Sequence, residues 1–238
     1  MFPLGLAVIS MLYATVGQAG GTAFLGLMVF AALPPTEMRP TALALNVAVA
    51  TYSTWVLNRN RVVDWTMLRP LLFSSTPMAL GGGLIVLRDY IYRPMTGSLL
   101  LLAGAVMALR RDRATDHDRQ MPLWGTASVG AIVGLVSGLT GVGGGVFLAP
   151  TLIALNWASP KQATALSSPF ILVNSAVGLA GVLLAGQVPS LHFGSYAIAA
   201  LGGSITGTAI GLKWLGQTAT RVILAGVLFA AGIQMVLV

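Results

Sequence analysis

Charged residues divide the chain into long apolar runs. Residues 1–36, 40–58, 70–87, 94–109, 120–160, 162–212 and 222–238 contain no Asp, Glu, Lys or Arg. A helix crossing a hydrocarbon core of roughly 30 Å needs about 20 predominantly apolar residues. Taken with their Gly, Pro and polar breakers, the runs predict segments near 3–33, 41–57, 71–87, 94–109, 123–155, 163–185, 191–212 and 222–238. All five tryptophans (Trp55, Trp65, Trp124, Trp157 and Trp214) fall at or next to predicted segment ends. That is where an amphipathic indole settles in a bilayer. The pattern therefore predicts an all-α polytopic membrane protein.

Two segments are too long for a single crossing. At 1.5 Å per residue, 3–33 and 123–155 would form helices of about 46–50 Å. Each is interrupted near its middle by a glycine cluster, Gly17-Gln-Ala-Gly-Gly21 in the first and Gly141-Val-Gly-Gly-Gly145 in the second. A broken helix, its two halves meeting at a glycine tip as a re-entrant hairpin, accounts for both the length and the interruption.

The two halves of the chain also repeat each other. An offset of 123 residues sets Gly20-Gly21 on Gly143-Gly144, Phe24-Leu25 on Phe147-Leu148, and Thr41-Ala-Leu43 on Thr164-Ala-Leu166. With a slightly shorter offset, Leu80-Gly-Gly82 matches Leu201-Gly-Gly203. The polar tract 110–120 lies between the halves. This gives a first membrane repeat at 1–109, a cytoplasmic linker at 110–121 and a second membrane repeat at 122–238.

Basic residues orient the repeats. If all eight segments simply cross, the Lys and Arg of the loops divide 7 to 6 between the two faces, which orients nothing. If 3–33 and 123–155 re-enter on their own side, the division becomes 10 to 3. That obeys the tendency of cytoplasmic loops to be basic. Each half then crosses three times, the repeats are inverted, and both termini face away from the cytoplasm.

Composition narrows the function. Of 238 residues 56% are hydrophobic and 8% charged, against about 25% charged in a soluble domain. The net charge of +7 is carried by basic residues lying singly between apolar runs, which form no nucleic-acid stripe. With no cysteine and only His117 and His192, thiolate chemistry and a His-rich metal centre are both unexpected. No basic residue precedes Arg39, which disfavours a cleavable signal peptide. The acidic residues are dispersed, so no catalytic constellation is legible and an enzyme is not expected. No cofactor is expected either.

The glycine tips are the candidate site. A half-helix starting at a tip leaves its first N–H groups without partners and aims its positive dipole end at the same point. In hydrocarbon such donors need protein or a polar cavity around them, and an anion satisfies them. Candidate anion ligands are Gln18, Gly20, Gly21 and Thr22 at the first tip and Thr140, Gly143, Gly144 and Gly145 at the second. Asn46, Ser167, Ser168 and Asn174 lie in the segments that follow, with Pro169 placed to open the backbone. No charged residue falls inside a predicted segment, which argues against a carboxylate proton relay. Each signal has a plainer reading. Glycines also allow close helix packing, and Ser or Asn side chains also bond to the preceding turn or join helices. Glu37 and Arg39, in PPTEMRP, read as a loop ion pair at the membrane surface.

The run Ser137-Gly-Leu-Thr-Gly-Val-Gly-Gly-Gly-Val-Phe-Leu-Ala-Pro150, continued by Lys161-Gln-Ala-Thr-Ala-Leu-Ser-Ser168, resembles the signature of the TauE/SafE family of membrane transporters. Ala14-Thr-Val-Gly-Gln-Ala-Gly-Gly-Thr-Ala-Phe-Leu25 and Arg39-Pro-Thr-Ala-Leu43 resemble its paired copy, departing from it at Gln18-Ala19, Thr22 and Leu27. The resemblance covers nearly the whole chain. It implies a secondary transporter of the bacterial inner membrane whose substrates are sulfite, organosulfonates or related small sulfur anions. The residues alone reach only a small anion in a donor-lined site. An anion channel, or a carrier of another small organic anion, fits the same features. The expected partners are the anionic substrate and the bilayer, and the small-residue helix faces are compatible with a homodimer and equally with a monomer.

Overall fold

The computed structural model describes every residue except Met1, Val16, Ala32, 110–121, 215–221, 223, 224, 227, 228, 231, 237 and 238. The expected linker thus lies outside the described residues. Among those that are described the chain is helical and holds no strand. In order the helices are α1 (Phe2–Thr15), α2 (Gly21–Phe30), α3 (Pro35–Arg59), α4 (Trp65–Leu84), α5 (Asp89–Leu109), α6 (Leu123–Thr140), α7 (Gly145–Ala154), α8 (Pro160–Leu184) and α9 (Phe193–Trp214). Helical residues recur between 222 and 236. Both over-long segments break at their glycine clusters, 3–33 into α1 and α2 and 123–155 into α6 and α7.

The starts of α3, α4, α5 and α8 lie earlier than the apolar runs suggest, because charged or capping residues occupy or precede the first turns. α3 begins at Pro35 rather than near 41, behind the extended residue Pro34, since a proline at the first helical position loses no intrahelical bond. The Asp64 carboxylate caps α4, accepting from the N–H groups of Thr66 (2.9 Å) and Met67 (3.1 Å). Ser159 and Gln162 form a reciprocal capping box at the start of α8. By length and composition α6 and α8 suffice to cross a membrane.

Apolar side chains fill the core, Phe24, Leu25, Leu45 and Phe170 among them, and also cover much of the outside. Large apolar side chains face outward, with Phe73 87% and Ile198 75% exposed, whereas Ser10, Gln18, Asn46, Ser75, Ser137, Ser168 and Asn174 are buried. An outer surface of this kind is at home in hydrocarbon, where internal hydrogen bonding is the condition for burying polar groups.

Glycine seams hold the bundle. α6 packs on α4 through Gly130, Gly134 and Gly138, and α9 packs on α1 through Gly203 and Gly207. At Gly134 a Cβ would lie 2.3 Å from the Ser75 carbonyl oxygen, and at Gly203 2.0 Å from that of Ala7. Backbones meet directly at both seams, the small-residue packing common between membrane helices. α3 packs on α8, and these two helices also contact α9 and α4 respectively.

Arg39 corrects the expected loop ion pair. It lies within α3, 4% exposed, and gives its guanidinium to carbonyls rather than to Glu37. Nη1 donates to Ile85 (2.8 Å), Nη2 to Gly82 (2.6 Å), Gly83 (3.2 Å) and Gly138, and Nε to Gly138 (3.2 Å). These carbonyls belong to the C-terminal ends of α4 and α6, where the last turn has acceptors to spare and the dipole favours a cation.

Candidate functional site: two helix breaks in contact

Both breaks are built alike. Gly17, in the left-handed region at φ +66°, ends α1, with its N–H donating to Ala14 (3.1 Å). Gly141, at φ +77°, ends α6, with its N–H donating to Ser137 (2.9 Å). On the far side of each break a glycine caps the next half-helix without offering a side chain. The Gly20 carbonyl accepts from the Phe24 N–H (2.8 Å), and the Gly144 carbonyl from those of Phe147 (3.0 Å) and Leu148 (2.9 Å). Helical geometry provides no intrahelical acceptor for the N–H groups of the first turns of α2 and α7.

The breaks meet in the core. Gln18 Nε2 donates to the Gly145 carbonyl across 3.3 Å, and Ser168 Oγ donates to the Gly17 carbonyl at 2.9 Å. Asn46 Nδ2, from the middle of α3, donates to the Val142 carbonyl at 3.1 Å. A Cβ on Gly21 would lie 2.4 Å from Asn46 Nδ2 and 2.6 Å from the Val142 oxygen. One on Gly143 would lie 2.7 Å from Ser175 Oγ and 2.8 Å from Asn46 Nδ2. Asn46 is therefore wedged between the two tips, and only glycine leaves it room.

Of the expected site residues, Gln18, Gly21, Asn46, Gly143, Gly145 and Ser168 come together here. Gly20 faces the ring of Phe24, and Gly144 packs against Phe170 and Ser137. The other polar candidates are engaged locally. The Thr22 hydroxyl pairs with that of Tyr13 (2.6 Å). Thr140 bonds back to Val136 (2.7 Å) and Ser167 to Ala163 (2.8 Å), the plainer role foreseen for such hydroxyls. Ser167 also reaches the Gly145 carbonyl at 3.4 Å, and Asn174 Nδ2 donates to Phe170 (3.0 Å) within α8.

Six buried polar atoms on and around these tips have no hydrogen-bond partner among the described residues: Gln18 Oε1, Asn46 Oδ1, Ser137 Oγ, Thr164 Oγ1, Asn174 Oδ1 and Ser175 Oγ. Sequence reasoning passed over Ser137, Thr164 and Ser175. Ser137 lies one helical turn before Thr140, and Ser175 adjoins Asn174. Helical spacing was the signal that could have found the first. Within α8, Pro169 lacks an N–H and so leaves the Ala165 carbonyl without its helical donor. No cluster of His, Asp and Glu suited to a metal occurs among the described residues.

Broken apolar helices that join buried polar tips inside a bundle with an apolar exterior define a membrane transport protein. The sulfite exporter TauE/SafE family model matches residues 1–235, and the chain belongs to that family. It is 32% identical over 240 residues to the probable membrane transporter protein y4hK of Sinorhizobium fredii (strain NBRC 101917 / NGR234), covering 98% of this chain and 97% of the relative. No solved structure matches it. The chain is accordingly a membrane transporter and not an enzyme.

Proposed function

We propose that this protein is a secondary transporter of the inner membrane that moves a small sulfur-containing anion, of the sulfite or organosulfonate class, by alternating access. The observation that carries the reading is the direct contact of two half-helix starts, with the Asn46 amide between them. Two positive dipole ends converging on one buried point favour an anion, and the approach of backbone N–H groups demands glycine. Paired broken helices near a bilayer midplane are a recurrent way of building such a site.

An inverted repeat supports the alternation. The α4–α6 seam has its counterpart in α9–α1, α4–α8 in α9–α3, and α7–α8 in α2–α3, the pairings that exchange of the two halves requires. Each tip then approaches the midplane from its own face, and rocking one repeat against the other exposes the site to each side in turn. The substrate class comes from the family description, and the anion preference from the tips.

The test is uptake by purified protein in proteoliposomes of sulfite, sulfate, thiosulfate and a simple sulfonate. Saturable flux of one anion, competed by its analogues and accelerated by the same anion on the far side, is the expected result. Non-saturating flux without exchange would identify a channel. Absence of flux from folded protein would remove the sulfur-anion reading.

A further inference from the structure

The amides at the junction are oriented one way. Gln18 and Asn46 each commit an N–H to a carbonyl of the second break, Gly145 and Val142 respectively, which fixes which end of each amide is which. Their oxygens, Gln18 Oε1 and Asn46 Oδ1, are left buried and without a donor among the described residues, on side chains at most 1% exposed. Asn46 Oδ1 points at the α2 start, 2.9 Å from where a Cβ on Gly21 would stand. A buried acceptor without a donor is costly, and native structures rarely keep one without a use.

The junction thus offers two complementary features. Helix-start N–H groups call for negative charge, and unpartnered amide oxygens call for a hydrogen-bond donor. A fully ionised oxyanion satisfies the first and is repelled by the second. A cation satisfies the second and is repelled by two positive helix ends. A monoanion that still carries an acidic proton satisfies both.

Resting on the transport function proposed above, we infer that the site takes its oxyanion in the monoprotonated form, with the substrate's own O–H donating to Gln18 Oε1 or Asn46 Oδ1. For sulfite this is hydrogen sulfite, so each anion carries one proton across and, on re-equilibrating, releases on the far side the fraction set by the pH there relative to its own pKa. No carboxylate relay is then needed. The ionisable groups on the helices that supply the junction are Tyr13 on α1, Glu37, Arg39, Tyr52 and Arg59 on α3, and Lys161 on α8, with Tyr92 of α5 donating its hydroxyl to the Thr140 carbonyl beside the second break. Tyr13, Arg39 and Tyr92 are the buried ones. Tyrosine and arginine ordinarily titrate far above neutrality, so a pH response near neutrality reports the substrate.

The experiment is sulfite uptake into proteoliposomes carrying a luminal pH dye, between about pH 6 and about pH 8, with leak into protein-free vesicles subtracted. Total sulfite is varied so that hydrogen sulfite is held constant in one series and the dianion in another. The expected result is a rate that follows hydrogen sulfite, with luminal acidification per anion that is small at the acid end of the range and rises towards one proton at the alkaline end, and no requirement for sodium. Gln18→Met removes the acceptor at similar length, and with it the Nε2–H bond to the Gly145 carbonyl, so the reading is a ratio: the KM for hydrogen sulfite should rise about tenfold more than that for a simple sulfonate, which has no O–H to donate. Saturable uptake that follows the dianion, or that requires sodium, overturns the inference and leaves the transport function standing. Failure of folded protein to move any sulfur anion overturns both.

Discussion

Asn46 Nδ2 donates to the carbonyl oxygen of Val142 across 3.1 Å, joining residues 96 positions apart in the chain. Through this bond the middle of α3 holds the turn between α6 and α7, and a helix of the first half positions the break of the second. Replacing Asn46 with Asp exchanges the donating amide for a carboxylate beside two helix starts. Anion flux at neutral pH should fall by more than about tenfold, with partial recovery as the medium is acidified and the carboxyl protonates. Flux against pH for N46D and the parent, normalised to folded protein, checks this.

Glycine is required at some positions of this chain and not at others. Gly21→Ala places its Cβ against Asn46 and the Val142 carbonyl, whereas a Cβ on Gly81 meets nothing within 4 Å. G21A should abolish most of the flux. G81A should preserve it and stabilise its helix by about 0.5–1 kcal/mol. Equal flux in the two variants would show that the tips are not the site.

Arg39 closes the ends of two helices with one side chain. Arg39→Ala leaves the carbonyls of Gly82, Gly83, Ile85 and Gly138 short of a donor and should destabilise the fold by about 3 kcal/mol or more. Arg39→Lys keeps the charge but not the planar fork, and should recover only part of the loss. Thermal unfolding in detergent ranks the three, and an R39A as stable as the parent would contradict the cap.

Topology can be read with single cysteines, because the chain has none of its own. Asn60 and Leu191 are both exposed, in loops that follow α3 and α8. If both broken segments re-enter, these loops lie on opposite faces of the membrane. If every segment crosses, they share a face. An impermeant thiol reagent applied to intact cells should label Leu191→Cys, and Asn60→Cys only after permeabilisation.

Much of this architecture is written in the spacing of charges. The breaks at Gly17–Gly21 and Gly141–Gly145 were legible because each interrupts an apolar run too long for one crossing. The helix starts at Pro35, Trp65 and Pro160 were not, since charged or capping residues stand there and a hydropathy reading ends the segment at them. Arg39 was misread for the same reason. Its charge placed it in a loop, yet the free carbonyls that accept it belong to helices 43 to 99 residues away in sequence. The meeting of Gln18 with Gly145 was beyond reach too, as nothing local in either sequence specifies the other as its partner. Thr22, Thr140 and Ser167 show the reverse, polar residues at the right place whose hydroxyls turn to a near neighbour.

An apolar exterior around glycine seams and buried hydroxyls shifts the usual map of mutational tolerance. Outward leucines, isoleucines and phenylalanines such as Phe73 and Ile198 pack on little of the protein, so one should replace another at small cost. The smallest residues, at Gly134, Gly138, Gly203 and Gly207, stand where two backbones touch, and no larger side chain fits. Selection on this protein should therefore be written in its glycines, buried hydroxyls and core side chains, while its outward bulky side chains drift.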